Sequence, residues 1–341
     1  MSIPRPTPEL LPEVLEPLLR HYLPGSGGAK IRDFARTTRG FATETYLFEV
    51  EDRYGSLPLV LRRPPEMSLF PDYDLLRQVL VMRRLAATDI PVASVAWLER
   101  GETMLGSPYF VMNRLEGEAP GDFPSYHSAG NYYEATPEQR ARMWWGCVDT
   151  IAAIHELDWK ALRLDFLALP RHGTAPVQQV VNYLDAALTW ACAGAVPATY
   201  RRAIGYLRDH LYEPERVTLC WGDARMSNIL YDKDFQVSGV LDWEIAYLGD
   251  HEADLAWMLF LDWASSEFEG HPALPGTPTR AETIAYYEQR TGTTIRNLRY
   301  NEILAAVLLS VPLLRMANRV QLPPDMDITG FCTTRIEQLL D

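Results

Sequence analysis

Cysteine is scarce. The 341-residue chain carries four, Cys147, Cys192, Cys220 and Cys332, spread without a CxxC pair. That excludes a zinc-ribbon spacing and a disulfide framework, and leaves the thiols as reduced residues of the interior. Basic charge is also short: 32 Lys and Arg face 45 Asp and Glu, a formal net charge of −13. A polyanion is repelled by such a surface, so nucleic acid is not an expected partner. Long uncharged runs are missing as well. The best, residues 303–314, contains Pro312, meets Arg315 and falls short of the ~20 residues a membrane helix needs. It reads as a buried helix, with no membrane partner expected. The first residues, MSIPRPTPEL, show neither the basic start nor the apolar stretch of a secretory leader, and the expected location is the cytoplasm.

What is present is an ordinary apolar fraction, 47%, enough to build one large core or two medium ones. Apolar periodicity predicts a helix over 7–22, strands over 31–37, 45–51 and 57–62, a helix over 74–88, and two more strands in VASVAWLER and PYFVMNRL. Residues 116–136 turn polar and rich in Gly, Pro and Ser, which reads as a connection rather than a packed element. Beyond it, helices are expected over 137–156, 177–194, 198–211, 250–262, 279–291 and 299–320, interrupted by short strands. The fold class is therefore α+β: a small mostly-β lobe, 1–116, followed by a larger mostly-α lobe, 117–341.

One stretch of the second lobe concentrates polar chemistry. CWGDARMSNILYDKDFQVSGVLDWE (220–244) places Asp223 in a glycine-led loop, Asn228 five residues later, and Asp242 at the end of an apolar run nineteen residues downstream. Phosphoryl transfer needs a carboxylate to orient a hydroxyl and hard oxygen ligands to hold Mg²⁺ on nucleotide phosphates. Asp223, Asn228 and Asp242 can fill those roles. In isolation the same residues also serve as turn caps. The surrounding pattern adds weight: apolar VTLC before the loop, VSGVL before Asp242, and GDHEADLAW opening a helix just beyond.

With those motifs the chain resembles the aminoglycoside phosphotransferase and choline-kinase-like family of small-molecule kinases, which share the bilobal protein-kinase-like fold. The resemblance covers roughly residues 30–265. It implies that Asp223 is the catalytic base, that Asn228 and Asp242 bind Mg²⁺, and that Asp254 braces the loop. Trp221 stands where the family usually has His, a position expected to affect packing rather than chemistry. RGFATETYLFEV is similar to the family's phosphate-covering loop and strand, implying Gly40, Phe41, Ala42 and Thr43 as ATP contacts. LPLVLRRPP places Arg62 where relatives use lysine, and Gln78 where they carry its glutamate partner, so that Gln78 can accept a hydrogen bond from Arg62. PYFVMNRLEG resembles the hinge, implying adenine contacts at the backbone of Asn113 and Leu115, with Val60 over the ring.

Other residues invite bland readings. His155 is expected to be a structural histidine at a helix end, and the tryptophans at 144, 145, 257 and 263 are expected to pack the core, some lining an acceptor pocket. The acids of HEADL read as caps or solvated faces. The function so implied is an ATP- and Mg²⁺-dependent transfer of the γ-phosphate to a hydroxyl of a small molecule. The alternative is a catalytically weak kinase-fold protein that binds nucleotide or metabolite as a sensor or scaffold. Relatives phosphorylate aminoglycosides, choline, homoserine, macrolides or, in fusions with acyl-CoA dehydrogenases, hydroxyacyl chains. Neither the acceptor nor the oligomeric state is legible.

Overall fold

A computed structural model describes residues 5–23, 28–37, 43–53, 55–102, 104–320 and 327–341. The chain forms two units, one of Met1–Ser68 with Asp72–Leu115 and one of Leu69–Pro71 with Glu116–Asp341.

The first unit is built on helix α1 (Leu11–Tyr22) and strands β1 (Lys30–Arg36), β2 (Glu44–Asp52), β3 (Gly55–Arg63), β4 (Val95–Glu99) and β5 (Tyr109–Asn113). The strands form one antiparallel sheet in the order β1-β2-β3-β5-β4. Along β2 the side chains alternate, so Tyr46, Phe48 and Val50 fall on one buried face. Leu11, Leu15 and Leu19, one helical stripe of α1, join the same core. Each contributes about 1.5–3 kcal/mol by leaving water. Helix α2 (Leu75–Leu85) starts at Asp74, whose carboxylate accepts the N–H of Leu76; it packs on β4 and β5, and Leu75, Val79, Met82 and Leu85 are among its buried side chains.

The second unit holds α3 (Gly130–Glu134), α4 (Pro137–Glu156), α5 (Pro176–Ala191), α6 (Ala198–Asp209), α7 (Ala253–Trp263), α8 (Arg280–Thr291), α9 (Leu298–Arg319) and α10 (Gly330–Leu340). Strands β6 (Val217–Cys220), β7 (Ile229–Tyr231), β8 (Val237–Val240) and β9 (Tyr247–Asp250) make two small antiparallel pairs, β6 with β9 and β7 with β8. Capping boxes at Thr136/Gln139 and Thr279/Glu282 fix the starts of α4 and α8. Helix α9 is buried almost continuously from Tyr300 to Leu314 because α5, α6, α7 and α10 surround it. By length and composition it could cross a membrane, yet 67% of its most apolar window lies inside the protein, as for a core helix. Its one deeply buried acid, Glu302, accepts a hydrogen bond from Arg335 of α10 (3.0 Å) and pairs with Arg280 of α8, the arrangement a buried charge requires.

Two expectations change here. Residues 116–136 are not merely a connection: Ser125, Tyr126 and His127 are buried, with the Ser125 hydroxyl on Ser265 O and both other side chains on one Asp262 oxygen at 2.8 Å. Polar side chains can pack when the end of α7 supplies their partners. Helix α10 was not anticipated, since Cys332 and Ile336 are its only buried side chains among the described residues and the periodicity is faint. The four cysteines are free and buried, as expected.

Candidate active site

The loop leaving β6 is shaped by its backbone. Gly222 sits at φ +90, and a Cβ there would lie 2.4 Å from Ile245 O, so only glycine fits. Asp254, in the first turn of α7, accepts the N–H of Trp221 at 2.6 Å and of Gly222 at 2.9 Å through its two oxygens. His155 Nε2 lies 3.0 Å from the same carboxylate, and its Nδ1 lies 2.6 Å from the hydroxyl of Tyr287. The acid of HEADL is thus a buried brace rather than a solvated cap. His155, at the end of α4, is a structural residue of that brace. His155, Cys220 and Asp254 gather closely enough to suggest a metal. Burial pushes the Cys220 thiol well up, which keeps it protonated and a poor ligand, and both Asp254 oxygens are already committed.

Asp223 emerges from this turn into a polar cluster. Asn228 Nδ2 donates to Asp223 Oδ2 at 2.7 Å and to Asp223 O at 3.0 Å. Two acceptors fix the amide's orientation, so Asn228 presents its Oδ1 lone pairs elsewhere. Trp257 Nε1 donates to Asp223 Oδ1 at 3.0 Å, and Arg225 Nε lies 3.0 Å from that oxygen. The other end of Arg225 donates to Asp122 Oδ2 at 2.8 Å, while Ser227 donates to Asp122 Oδ1. Burial raises the Asp223 carboxyl above the usual range; Arg225 and Asn228 pull it back, and the Asp242 and Asp122 charges push it up again. The Arg225 guanidinium is held charged by Asp223 and Asp122 against its own burial.

Asp242 follows β8 at φ +59, a left-handed conformation uncommon for a residue with a Cβ. The indole N–H of Trp221 donates to Leu241 O at 2.8 Å and to Asp242 O at 3.2 Å, and Leu241 N donates to Asn228 O at 2.8 Å. Trp221 therefore does more than pack. Asp223 with Asn228 forms one hydrogen-bonded pair, and Asp242 is tied to their loop through backbone contacts.

The residues expected to hold nucleotide lie in the first unit. Gly40, Phe41 and Ala42 fall outside the described residues, while Thr43 is buried with its hydroxyl against that of Tyr73. Val60 and Arg62 are buried on β3. Gln78 is 2% exposed, and neither atom of its amide has a hydrogen-bond partner among the described residues. The expected hydrogen bond from Arg62 to Gln78 is therefore not made. The adjacent Arg63, turned to the opposite face by strand alternation, donates through Nε to Glu44 Oε2 at 2.7 Å. At the end of β5, Asn113 N donates to Ser94 O and Arg114 N to Pro58 O, and Leu115 follows.

Sequence reasoning missed Asp122, Arg225 and Ser227, and it assigned Trp257 to core packing without its bond to Asp223. Arg225 carried a signal, a cation two residues past Asp223 within the motif itself. Asp122 and Trp257 carried none, because their contacts join positions 103 and 34 residues apart.

Comparisons with known proteins agree with this architecture. A thermostable mutant of the aminoglycoside phosphotransferase APH(4)-Ia, in ternary complex with ADP and hygromycin B, superposes with a TM-score of 0.61 at 16% identity, covering 97% of this chain and 98% of that one. Choline kinase from Cryptosporidium parvum Iowa II gives 0.62 at 12% identity, covering 96% and 94%. At such identities the likeness establishes the fold, which is bilobal and protein-kinase-like. Among sequence relatives, acyl-CoA dehydrogenase family member 10 of Mus musculus is 28% identical over 271 residues, 77% of this chain and 23% of that protein. Family member 11 of Rattus norvegicus is 26% identical over 318 residues, 86% of this chain and 38% of that protein. The chain thus spans well under half the length of these curated relatives. The model of the phosphotransferase enzyme family matches residues 33–291, a span that takes in the Asp223 loop, the Asp242 hairpin and the Asp254 brace, and the chain belongs to that family.

Proposed function

We propose that the chain transfers the γ-phosphate of ATP, in a Mg²⁺-dependent reaction, to a hydroxyl of a small molecule. The observation that carries this reading is the Asp223–Asn228 pair: a carboxylate held by three neighbours, next to an amide whose N–H groups are spent and whose oxygen is left to face a cation. A hard divalent ion suits an amide oxygen and a carboxylate, so Asn228 and Asp242 are the residues that would hold Mg²⁺. Bound there, the metal would neutralise charge on the transferred phosphoryl group. Asp223 orients the acceptor hydroxyl and takes up its proton, and its raised affinity for a proton suits a base working near neutral pH. Arg225, permanently charged and 3.0 Å from the Asp223 carboxylate, would offset negative charge as it develops there. On the nucleotide side Arg62, Thr43, Val60 and the Asn113–Leu115 backbone are the proposed contacts.

The fit to the aminoglycoside phosphotransferase complex with ADP supports nucleotide use, and the net charge of −13 supports a free small molecule over a nucleic acid as partner. We place the reaction in the cytoplasm. Acceptor classes worth screening are aminoglycosides, amino alcohols such as choline and, since the sequence relatives are named as acyl-CoA dehydrogenase family members, acyl compounds that carry a hydroxyl. An ATP-consumption assay across those classes, with Asp223→Asn as control, tests the proposal. Turnover that survives in Asp223→Asn removes it. One observation favours a second reading, a silent nucleotide sensor: the amide of Gln78, on the helix that packs on β4 and β5, has no hydrogen-bond partner among the described residues. Thermal shift separates the two, since an enzyme of this design is stabilised more by MgATP than by ATP with EDTA.

A further inference from the structure

We propose that Arg5 and Glu44 are positioning residues for the nucleotide: segment 5–7 is a strap that locks together the two strand ends carrying Thr43 and Arg62. The inference rests on the function proposed above.

Glu44 opens β2 and stands directly across from Arg63, the terminal pair of the β2–β3 ladder. Strand ends fray where a ladder stops, so the side chains gathered there decide how firmly the last pair is held. Here one buried carboxylate collects three donors on a single oxygen. Glu44 Oε2 accepts from Arg63 Nε at 2.7 Å and from the Tyr46 hydroxyl at 2.9 Å, and Arg5 Nη2 lies 3.0 Å away. Burial pushes the Glu44 carboxyl up, but the bonds from Arg63, Tyr46 and Arg5 outweigh it and hold the group below the usual carboxylate range. The strap reaches β3 as well. Arg5 donates to Pro64 O, and both terminal nitrogens of Arg63 donate to Pro6 O at 3.3 Å. Arg5 thereby ties the start of β2 to the residue just past β3. Pro6, Pro8 and the extended backbone of Thr7, at φ −65 and ψ 160, stiffen the segment.

Thr43 is the residue before Glu44, and Arg62 the residue before Arg63. Strand alternation sets Glu44, Tyr46 and Arg63 on the face opposite Thr45 and Arg62, so the strap acts from behind the proposed contact at Arg62. Arg5 also precedes the 33–291 span of the family match, so the strap is a feature of this chain beyond that span.

A merely structural contact would change stability and leave nucleotide affinity alone. Binding of AMP-PNP with Mg²⁺ is measured by calorimetry at a temperature where every variant is folded. Arg5→Gln removes the charge at a partly exposed side chain, and Arg5→Lys keeps it. Leu15→Ala weakens the core of the same unit without removing a strap contact. Expected in Arg5→Gln is about tenfold weaker binding, the scale of one charge-assisted hydrogen bond, with faster amide exchange at residues 44–46. Arg5→Lys restores most of the affinity, and Leu15→Ala keeps it despite a lower Tm. Glu44→Gln, which leaves two guanidiniums without their shared acid, loses at least as much as Arg5→Gln. Wild-type affinity or wild-type amide exchange in Arg5→Gln, or an equal loss in Leu15→Ala, overturns the inference while leaving the proposed function standing. A wild-type protein that does not bind AMP-PNP overturns both. If Glu44→Gln does not fold, the Arg5 variants decide the matter alone.

Discussion

The indole Nε1 of Trp257 donates a 3.0 Å hydrogen bond to Asp223 Oδ1, so a residue whose spacing suggests core packing also steadies the proposed base. Trp257→Phe keeps the ring and loses the bond. The expected result is about a tenfold fall in kcat with little change in KM for nucleotide, the scale of one hydrogen bond to a charged group. Because the lost bond favours the ionised carboxylate, the acid limb of the pH–rate profile moves to higher pH. An unchanged profile refutes the role.

Burial raises the Asp223 carboxyl, and the Arg225 charge opposes that rise. Arg225→Gln removes the opposition, and the acid limb of kcat against pH shifts upward, whereas Arg225→Lys retains most of the wild-type position. A downward shift in Arg225→Gln contradicts this electrostatic account.

The same raised carboxyl makes a stability prediction. A group whose folded pKa exceeds its unfolded value contributes stability below the unfolded pKa, and that contribution is lost as pH rises through the folded one. Once ionised, the buried Asp223 is therefore a burden on the fold relative to its protonated form. Asp223→Asn should raise Tm at pH 7 while lowering turnover by roughly 10²–10⁴-fold, the range for a general base. Differential scanning calorimetry at pH 5 and pH 8 should show the gain growing with pH, and a lower Tm at both values counts against it.

The loop brace should fail in two distinguishable ways. Asp254→Ala strands the N–H groups of Trp221 and Gly222 and the His155 ring, each unmet buried partner costing about 1–3 kcal/mol. Gly222→Ala forces a Cβ against Ile245 O at a positive φ, and should cost about 1–3 kcal/mol through strain alone. Urea denaturation measures both, and either variant at wild-type stability rules out the bracing described for it.

Gln78 offers the opposite sign. Its buried amide has no hydrogen-bond partner among the described residues, so Gln78→Met, similar in volume, should stabilise the nucleotide-free protein by about 1–3 kcal/mol. If the amide serves bound nucleotide, the same variant binds MgATP more weakly in calorimetry. A destabilised, nucleotide-free Gln78→Met would show that the amide has a partner of its own.

The sequence by itself determined the α+β class, the order of most elements and the Asp223–Asn228 pair, because each depends on residues close along the chain. A five-residue spacing within one loop keeps the two side chains within reach of each other, and two-residue alternation in β2 buries Tyr46, Phe48 and Val50 on one face. Tertiary structure decided what those residues experience. The Arg225–Asp122 and Trp257–Asp223 contacts, the packing of the polar 116–136 segment and the span of the Trp221 indole to the Asp242 hairpin all join distant positions. Their free energy comes from side chains meeting out of water, which no local pattern encodes. Burial, likewise a property of the packed chain, is what raises the Asp223 carboxyl and leaves the Gln78 amide without a hydrogen-bond partner among the described residues.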